Sequence, residues 1–364
     1  MTGEKSNKGP FDAVVAGAGI WGCTLARALA EKGERVRILE RRPVVGGNVR
    51  CETDAATGIE VHAYGSHIFH THDRAVWDFV RRFTEFNGYQ HKVLANYRGK
   101  IYHLPLGLTL INKFFGVELK PSELDAFLNN ERRQAIFDAF FRGYTSKQWG
   151  RPPEEIDPSI IRRVPVRDNY DTNYFNDYWQ GIPSDGYNRL FERILEHENI
   201  GVELGVDFDL ETAMKLTQGG ARVFYSGPLD RLFGYRFGAL PWRSLRFETE
   251  RIPVADFQGT SVMNYTEVEI PYTRIHEFKH YHPEQRDVMT KSATIIMREY
   301  PSVWKPGDEP YYPVNSPESA ALLARYREEA ERIPNLVVGG RLGAYRYYDM
   351  DQAVASALAV AGAR

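Results

Sequence analysis

Residues 11–50 read FDAVVAGAGIWGCTLARALAEKGERVRILERRPVVGGNVR, and this stretch decides the fold. The apolar run Ala13 to Ala16 predicts a strand. It leads into Gly17-x-Gly19-x-x-Gly22, and apolar residues at helical spacing follow. Each glycine has a mechanical task. Gly17 allows the tight turn, Gly19 lets backbone approach a pyrophosphate, and Gly22 lets helix and strand pack closely. A diphosphate then sits on the helix N-terminus, where unpaired N–H groups and the dipole favour negative charge. A second strand, Arg35 to Leu39, ends at Glu40, 18 residues beyond Gly22 and placed to hydrogen-bond a ribose hydroxyl. Strand, helix, second strand and acidic end fall in register, unlike an ordinary glycine-rich turn. The chain is therefore expected to hold an adenine dinucleotide.

Which dinucleotide follows from two further segments. Gly46-Gly47-Asn48 comes six residues after Glu40 as a second close-approach loop, and the pattern resembles the FAD-binding fingerprint of the two-dinucleotide-binding flavoproteins. Near the other end, VVGGRLGAYRYYDMDQAVASALAVAGA reads as a strand, a Gly339-Gly340-Arg341 turn, then a helix opening near Asp349. In those flavoproteins such a helix aims its N-terminus at the flavin pyrimidine. The expected cofactor is FAD in preference to NAD.

Composition agrees. A chain of 364 residues suffices for two or three domains and a sizeable core. Its net charge of -2, with both signs interspersed, points to neither nucleic acid nor an anionic membrane. MTGEKSNKGP, residues 1–10, reads as a polar leader without the apolar stretch of a signal peptide. No apolar run approaches the ~20 residues that span a bilayer. Cys23 and Cys51 fall in no motif. A cytoplasmic enzyme is expected.

Along the chain, residues 93–105 alternate as strands and 106–150 follow helical spacing, with Leu124, Phe127, Leu128, Ile136, Phe137, Phe140 and Phe141 on the apolar side. Residues 242–300 read as short alternating strands of an antiparallel sheet. The expected class is α/β: a Rossmann-like FAD-binding domain with an inserted helical domain and an antiparallel β-sheet domain. Residues 1–73, 181–240 and 330–364 are assigned to the first. The helical domain takes 74–87 and 104–163, and the sheet domain with a mobile lid takes 88–103, 164–180 and 241–329. Ligands bind such parallel sheets at the carboxyl ends of the strands, so the insertions should roof the flavin.

Tyr64-Gly65-Ser66-His67-Ile68-Phe69-His70-Thr71, Gly143-Tyr144-Thr145-Ser146-Lys147-Gln148-Trp149-Gly150, Pro271-Tyr272-Thr273-Arg274, Tyr311-Tyr312-Pro313 and Gly340-Arg341-Leu342 with Tyr347-Tyr348-Asp349-Met350 occur in order. Together they closely resemble the bacterial UDP-galactopyranose mutases, over essentially the whole chain after residue 10. The resemblance implies interconversion of UDP-galactopyranose and UDP-galactofuranose, a ring contraction that supplies furanose precursors for cell-surface glycans. It implies reduced FAD without net redox change. In the family mechanism, flavin N5 attacks the anomeric carbon and displaces UDP; the adduct opens to an iminium and recloses through another hydroxyl before UDP returns. It also implies a homodimer and a reductant.

The same resemblance assigns roles. Arg163 and Arg274 match the two diphosphate arginines, and permanently charged guanidinium forks suit a leaving diphosphate. Tyr144, Tyr174, Tyr312 and Tyr347 match positions around diphosphate and sugar, as neutral hydroxyl donors. The segment with Tyr144, Thr145 and Trp149 cradles the uracil, with Phe140 or Phe141 beside it. Asn264 faces the nucleotide, and Asp349 lies near substrate and flavin. His67, Ile68 and His70 lie against the isoalloxazine, and His70 joins the arginines as a catalytic residue. The remaining cofactor contacts are Trp21 and Arg41 beside the first loop, then Gly227, Gly340, Arg341, Tyr348 and Met350. Metal binding is not expected, since His67, His70 and His72 lack a ligand spacing and His276, His280 and His282 read as solvent-facing.

Ser66, where family members often carry Ala or Pro, and His91, which replaces an Asn near the substrate, depart from the pattern and put the sugar in question more than the reaction. Three rivals remain. One is the same ring contraction on an N-acetylated or deoxy nucleotide sugar. Another is a flavin oxidoreductase, since this fold hosts many reactions. The third is a non-catalytic nucleotide-sugar binding protein.

Overall fold

The structure, a computed structural model, describes residues 11–155 and 166–363. One layer is a five-stranded sheet in the order Leu336–Val338, Arg222–Tyr225, Ala13–Ala16, Val36–Glu40 and Ile200–Leu204. Every pairing is parallel. Ala13–Ala16 lies at its centre and is buried on both faces, which is why it is apolar throughout and does not alternate.

The helix Ile20–Ala30 follows directly. Its N-cap is Gly19, which has no side chain to satisfy the first amides. Gly22 presses on the strand before it: a Cβ there would lie 2.0 Å from the Gly17 carbonyl oxygen. This helix packs on the helix Met350–Gly362, and Trp21 Nε1 donates to Ser356 Oγ at 3.4 Å. The other face of the sheet is covered by a second apolar cluster that includes Phe208, Leu229, Trp242 and Tyr326.

The second layer is a seven-stranded sheet, in the order Tyr312–Pro313, Trp242–Ile252, Thr294–Val303, Arg274–Glu277, Val262–Tyr265, Val93–Tyr97 and Lys100–Leu104. It departs from expectation twice. Trp242–Ile252 and Thr294–Val303 are long strands of 11 and 10 residues, paired antiparallel along ten positions, so this region is not built of short strands alone. Val93–Tyr97 pairs parallel with Val262–Tyr265, so the sheet is mixed. Two segments far apart in sequence meet there, and no hairpin dictates their direction.

Helices from Leu108 to Trp149 cap the edge of that sheet around Leu108, Ile111, Leu124, Ile136 and Phe140. A π-turn over Asp138–Arg142 precedes Gly143–Trp149. Gly143 is tightly placed, since a Cβ would sit 2.4 Å from the Thr266 carbonyl oxygen. Lys147 locks the same contact. Its Nζ donates to the carbonyls of Tyr265, Ile270 and Tyr272 at 2.7, 3.0 and 2.9 Å. Lys147→Met keeps the stem but strands three acceptors, and should cost about 2 kcal/mol in urea unfolding of the FAD-loaded protein. An unchanged unfolding midpoint would mean that water replaces the ammonium without penalty. Among the described residues, no helix is long and apolar enough to cross a membrane.

Candidate active site

A cavity opens at the carboxyl ends of the parallel strands, where Gly17, Gly19 and Gly22 meet Gly47 and Asn48. The two glycine loops touch: Gly46 N–H donates to Ala18 O at 2.8 Å, and a Cβ on Gly47 would lie 2.9 Å from Gly19 Cα. Gly17 turns with φ +109°, and a Cβ there would meet Ser226 Oγ at 2.2 Å. These positions have room only for hydrogen. The free amides of the Ile20–Ala30 helix face this wall, as a pyrophosphate needs.

Glu40, at the end of its strand, is buried beside the loops. Its oxygens accept from Ala18 N–H at 2.7 Å and Arg42 N–H at 2.8 Å, and each retains a second lone pair. Arg41 also lines the cavity. Arg42 is a neighbour that sequence reasoning passed over: Nη2 donates to Asn48 Oδ1 at 2.9 Å and pairs with Glu309 at 2.8 Å. Arg42 Nη1 is buried without a hydrogen-bond partner, as is His67 Nδ1. Burial pushes His67 down to about 3, helped by His62 and Arg341, so its ring is neutral. Glycines without space, free helix amides and orphaned polar atoms on one wall fit an extended dinucleotide.

Trp21, Gly227, Gly340, Arg341, Tyr348, Asp349 and Met350 complete the wall from both ends of the chain. Arg341 Nε donates to Tyr348 O at 3.0 Å. Asp349 caps the Met350–Gly362 helix and accepts from Tyr347 OH at 2.8 Å. Ile68 is not on the wall but buried in the core behind His67. His70 does not line this cavity either. Its Nδ1 lies 2.9 Å from Asp177 Oδ2, and it stacks on Phe175 at 3.7 Å. The aromatic and carboxylate partners of the Asp168–Gly181 stretch capture it.

The tyrosines gather around Arg274. Arg274 Nη2 donates to Tyr144 OH, and Nε lies 3.4 Å from Glu299 Oε1. Glu299 and Arg274 are directly opposite on neighbouring antiparallel strands. Burial opposes ionisation of Glu299, but the Arg274 charge and the hydrogen bond from His276 push its carboxyl down to about 2. Burial raises the Tyr144 phenol to about 12 against the Arg274 charge, so it stays a neutral donor. Tyr312 stacks on Tyr347 at 5.9 Å, and Arg341 sits 5.0 Å over the Tyr347 ring. Asn264 is the cross-strand neighbour of Arg274, buried, with Oδ1 unpaired. Tyr174 packs edge-on against His91, whose ring burial holds at about 3, with Arg274, His276 and His70 adding to it.

Thr145 and Trp149 share the helix of Tyr144, with Trp149 42% exposed at its end. Phe140 packs in the helical core on Tyr97, Tyr102 and Phe114. Phe141 is the half-buried one of the pair. Arg163 lies outside the described residues.

His276, His280 and His282 are not solvent-facing. His276 and His282 are buried, and His280 is largely covered between Asp256 and Glu277. The strand Arg274–Glu277 lies in the sheet interior with both faces covered, so Ile275 and His276 are equally hidden. His276 and Glu299 are the members of the site that sequence reasoning missed. The available signal was the charged pair Arg298-Glu299 closing the largely apolar run ATIIM, and His276 two residues from Arg274 on the same strand face.

Residues 139–347 match the family model described as UDP-galactopyranose mutase, and residues 15–83 match that of an NAD(P)-binding Rossmann-like domain. The probable UDP-galactopyranose mutase of Klebsiella pneumoniae is 40% identical over 366 residues, 96% of this chain and 93% of that protein. The dTDP-fucopyranose mutase of Escherichia coli is 38% identical over 365 residues, 95% of this chain and 96% of that one. Among solved structures, a reduced UDP-galactopyranose mutase has a TM-score of 0.69 at 17% identity, covering 97% of this chain and 95% of its own.

Proposed function

The chain belongs to the UDP-galactopyranose mutase family, and from that premise we propose that it interconverts UDP-galactopyranose and UDP-galactofuranose. It is an isomerase with an FAD cofactor. The glycine loops, Glu40 and the wall from Gly340 to Met350 would hold that cofactor. When bound and reduced, FAD supplies a nucleophilic nitrogen for the anomeric carbon, and no net oxidation follows.

The observation that carries the proposal is Arg274, a permanent cation fixed between Tyr144 and a buried carboxylate beside the dinucleotide cavity. A departing nucleoside diphosphate gains negative charge, and a preorganised guanidinium stabilises that charge without reorganising. Tyr144, Tyr312 and Tyr347 add neutral hydroxyls that hold diphosphate and sugar without competing for protons near pH 7. Arg163 is proposed as the second diphosphate cation, on the motif match alone. Trp149 and Phe141 are the aromatic faces offered to the base.

The 38% identity to a dTDP-fucopyranose mutase supports a second reading, the same contraction on a deoxysugar carried by another nucleotide. A few pocket contacts decide between them. The test is a panel of UDP- and dTDP-linked pyranoses given to the reduced enzyme, with pyranose and furanose forms separated by chromatography. Conversion of UDP-galactopyranose ahead of the others is expected. Preference for a dTDP-deoxysugar would favour the second reading, and conversion of none would overturn both.

A further inference from the structure

We propose that Ser66 and His276 are positioning residues for Arg274: they hold the Glu299 carboxylate in one orientation, and that carboxylate sets the guanidinium that meets the diphosphate. The inference rests on the reading of Arg274 given above.

The carboxylate is divided between two partners. Oε1 faces Arg274 Nε at 3.4 Å and Thr273 Oγ1 at 3.3 Å, while Oε2 faces His276 Nε2 at 3.2 Å. Arg274 and His276 stand two residues apart on one strand, so they project from the same face, with Glu299 opposite on the neighbouring strand. On its other side His276 Nδ1 meets Ser66 Oγ, which also meets Tyr281 OH. His276, Glu299 and Tyr281 are buried.

Proton positions in this chain follow from its anionic end. An ionised Glu299 only accepts, so His276 donates through Nε2–H. Burial lowers the affinity of His276 for a second proton, against the pull of Glu299, so the ring is neutral and Nδ1 is a lone pair. Ser66 must then donate to Nδ1, and its oxygen accepts from Tyr281. Ser66 thus supplies the donor that the ring's other nitrogen needs in the tautomer set by Glu299. It also adjoins His67 on the cofactor wall, so one side of the dinucleotide cavity is wired to the diphosphate cation.

Without the Ser66 hydroxyl, Nδ1 and the Tyr281 phenol lose their partner in a buried place, where unpaired polar groups are costly. The ring then turns or admits water to pair Nδ1, its Nε2–H contact with Glu299 slackens, and the carboxylate loosens its hold on Arg274.

The experiment is a double-mutant cycle on the FAD-loaded protein, with UDP affinity read by titration calorimetry. Ser66→Ala should weaken UDP by about 3–10-fold. In a Glu299→Gln background the same change should alter affinity by less than about twofold, whatever Gln does by itself. Equal losses in both backgrounds, or no loss in the single variant, would overturn the inference. A wild-type protein that fails to bind UDP would instead refute the functional reading. Nitrogen-15 spectra of histidine-labelled protein give an arm independent of UDP. Wild-type His276 should carry its proton on Nε2, and Ser66→Ala should shift its Nδ1 resonance. A proton on Nδ1 in the wild type would refute the proposed order.

Discussion

Arg274→Ala should lower kcat/KM for the nucleotide sugar by about 10²–10³, with the loss mainly in kcat. The guanidinium meets charge that grows as the diphosphate departs, so its contribution is larger in the transition state than in the bound substrate. The change also leaves Glu299 buried with only His276 and Thr273 for support, and an unpaired buried carboxylate is strongly unfavourable. Arg274→Ala combined with Glu299→Gln separates the two effects. If the loss arises at the leaving group, the double variant stays as slow as the single one. Recovery of most activity in the double variant would assign the defect to the stranded carboxylate. In all variants the flavin absorption should be intact, since Arg274 is not on the cofactor wall.

The second large effect concerns oxidation state. With oxidised FAD under air, the enzyme should leave UDP-galactopyranose untouched. Dithionite should switch conversion on, and one reduction should support many turnovers, because ring contraction leaves the electron count unchanged. Stoichiometric consumption of reductant, or turnover in air with oxygen uptake, would make the protein an oxidoreductase on this fold. The cavity itself does not decide this, since the same glycine loops serve many flavin reactions.

The dinucleotide wall was legible in the sequence because its requirements are local. Gly17, Gly19 and Gly22 fall within one strand–turn–helix, and Gly17 and Gly22 each answer a short-range collision that only hydrogen avoids. Glu40 follows from the length of that same unit. The cluster behind Arg274 was not legible, because Glu299 reaches it through strand pairing across 25 positions that no periodicity encodes. Which of Phe140 and Phe141 is the half-buried one was not legible for another reason. The π-turn Asp138–Arg142 rotates the helix away from regular spacing just where the two must be told apart. His276 was misplaced outward because alternation identifies an outer face only when one face of the sheet is wet. Here Arg274–Glu277 is covered on both sides.

The parallel sheet has a further consequence, for synthesis. Ala13–Ala16 lies between Val36–Glu40 and Arg222–Tyr225, and the helix that follows it packs on Met350–Gly362. At about 5–20 residues per second, roughly 20–70 s separate the emergence of Gly19 from the ribosome and that of Met350. Until Arg222–Tyr225 emerges the central strand has one open edge, and until Met350 follows the glycine loop faces water with part of its wall unmade. Cofactor loading is therefore an event of the finished chain. A nascent chain stalled before residue 336 should retain no flavin and should depend on chaperones to shield the edge of Arg222–Tyr225, whose partner Leu336–Val338 is still missing.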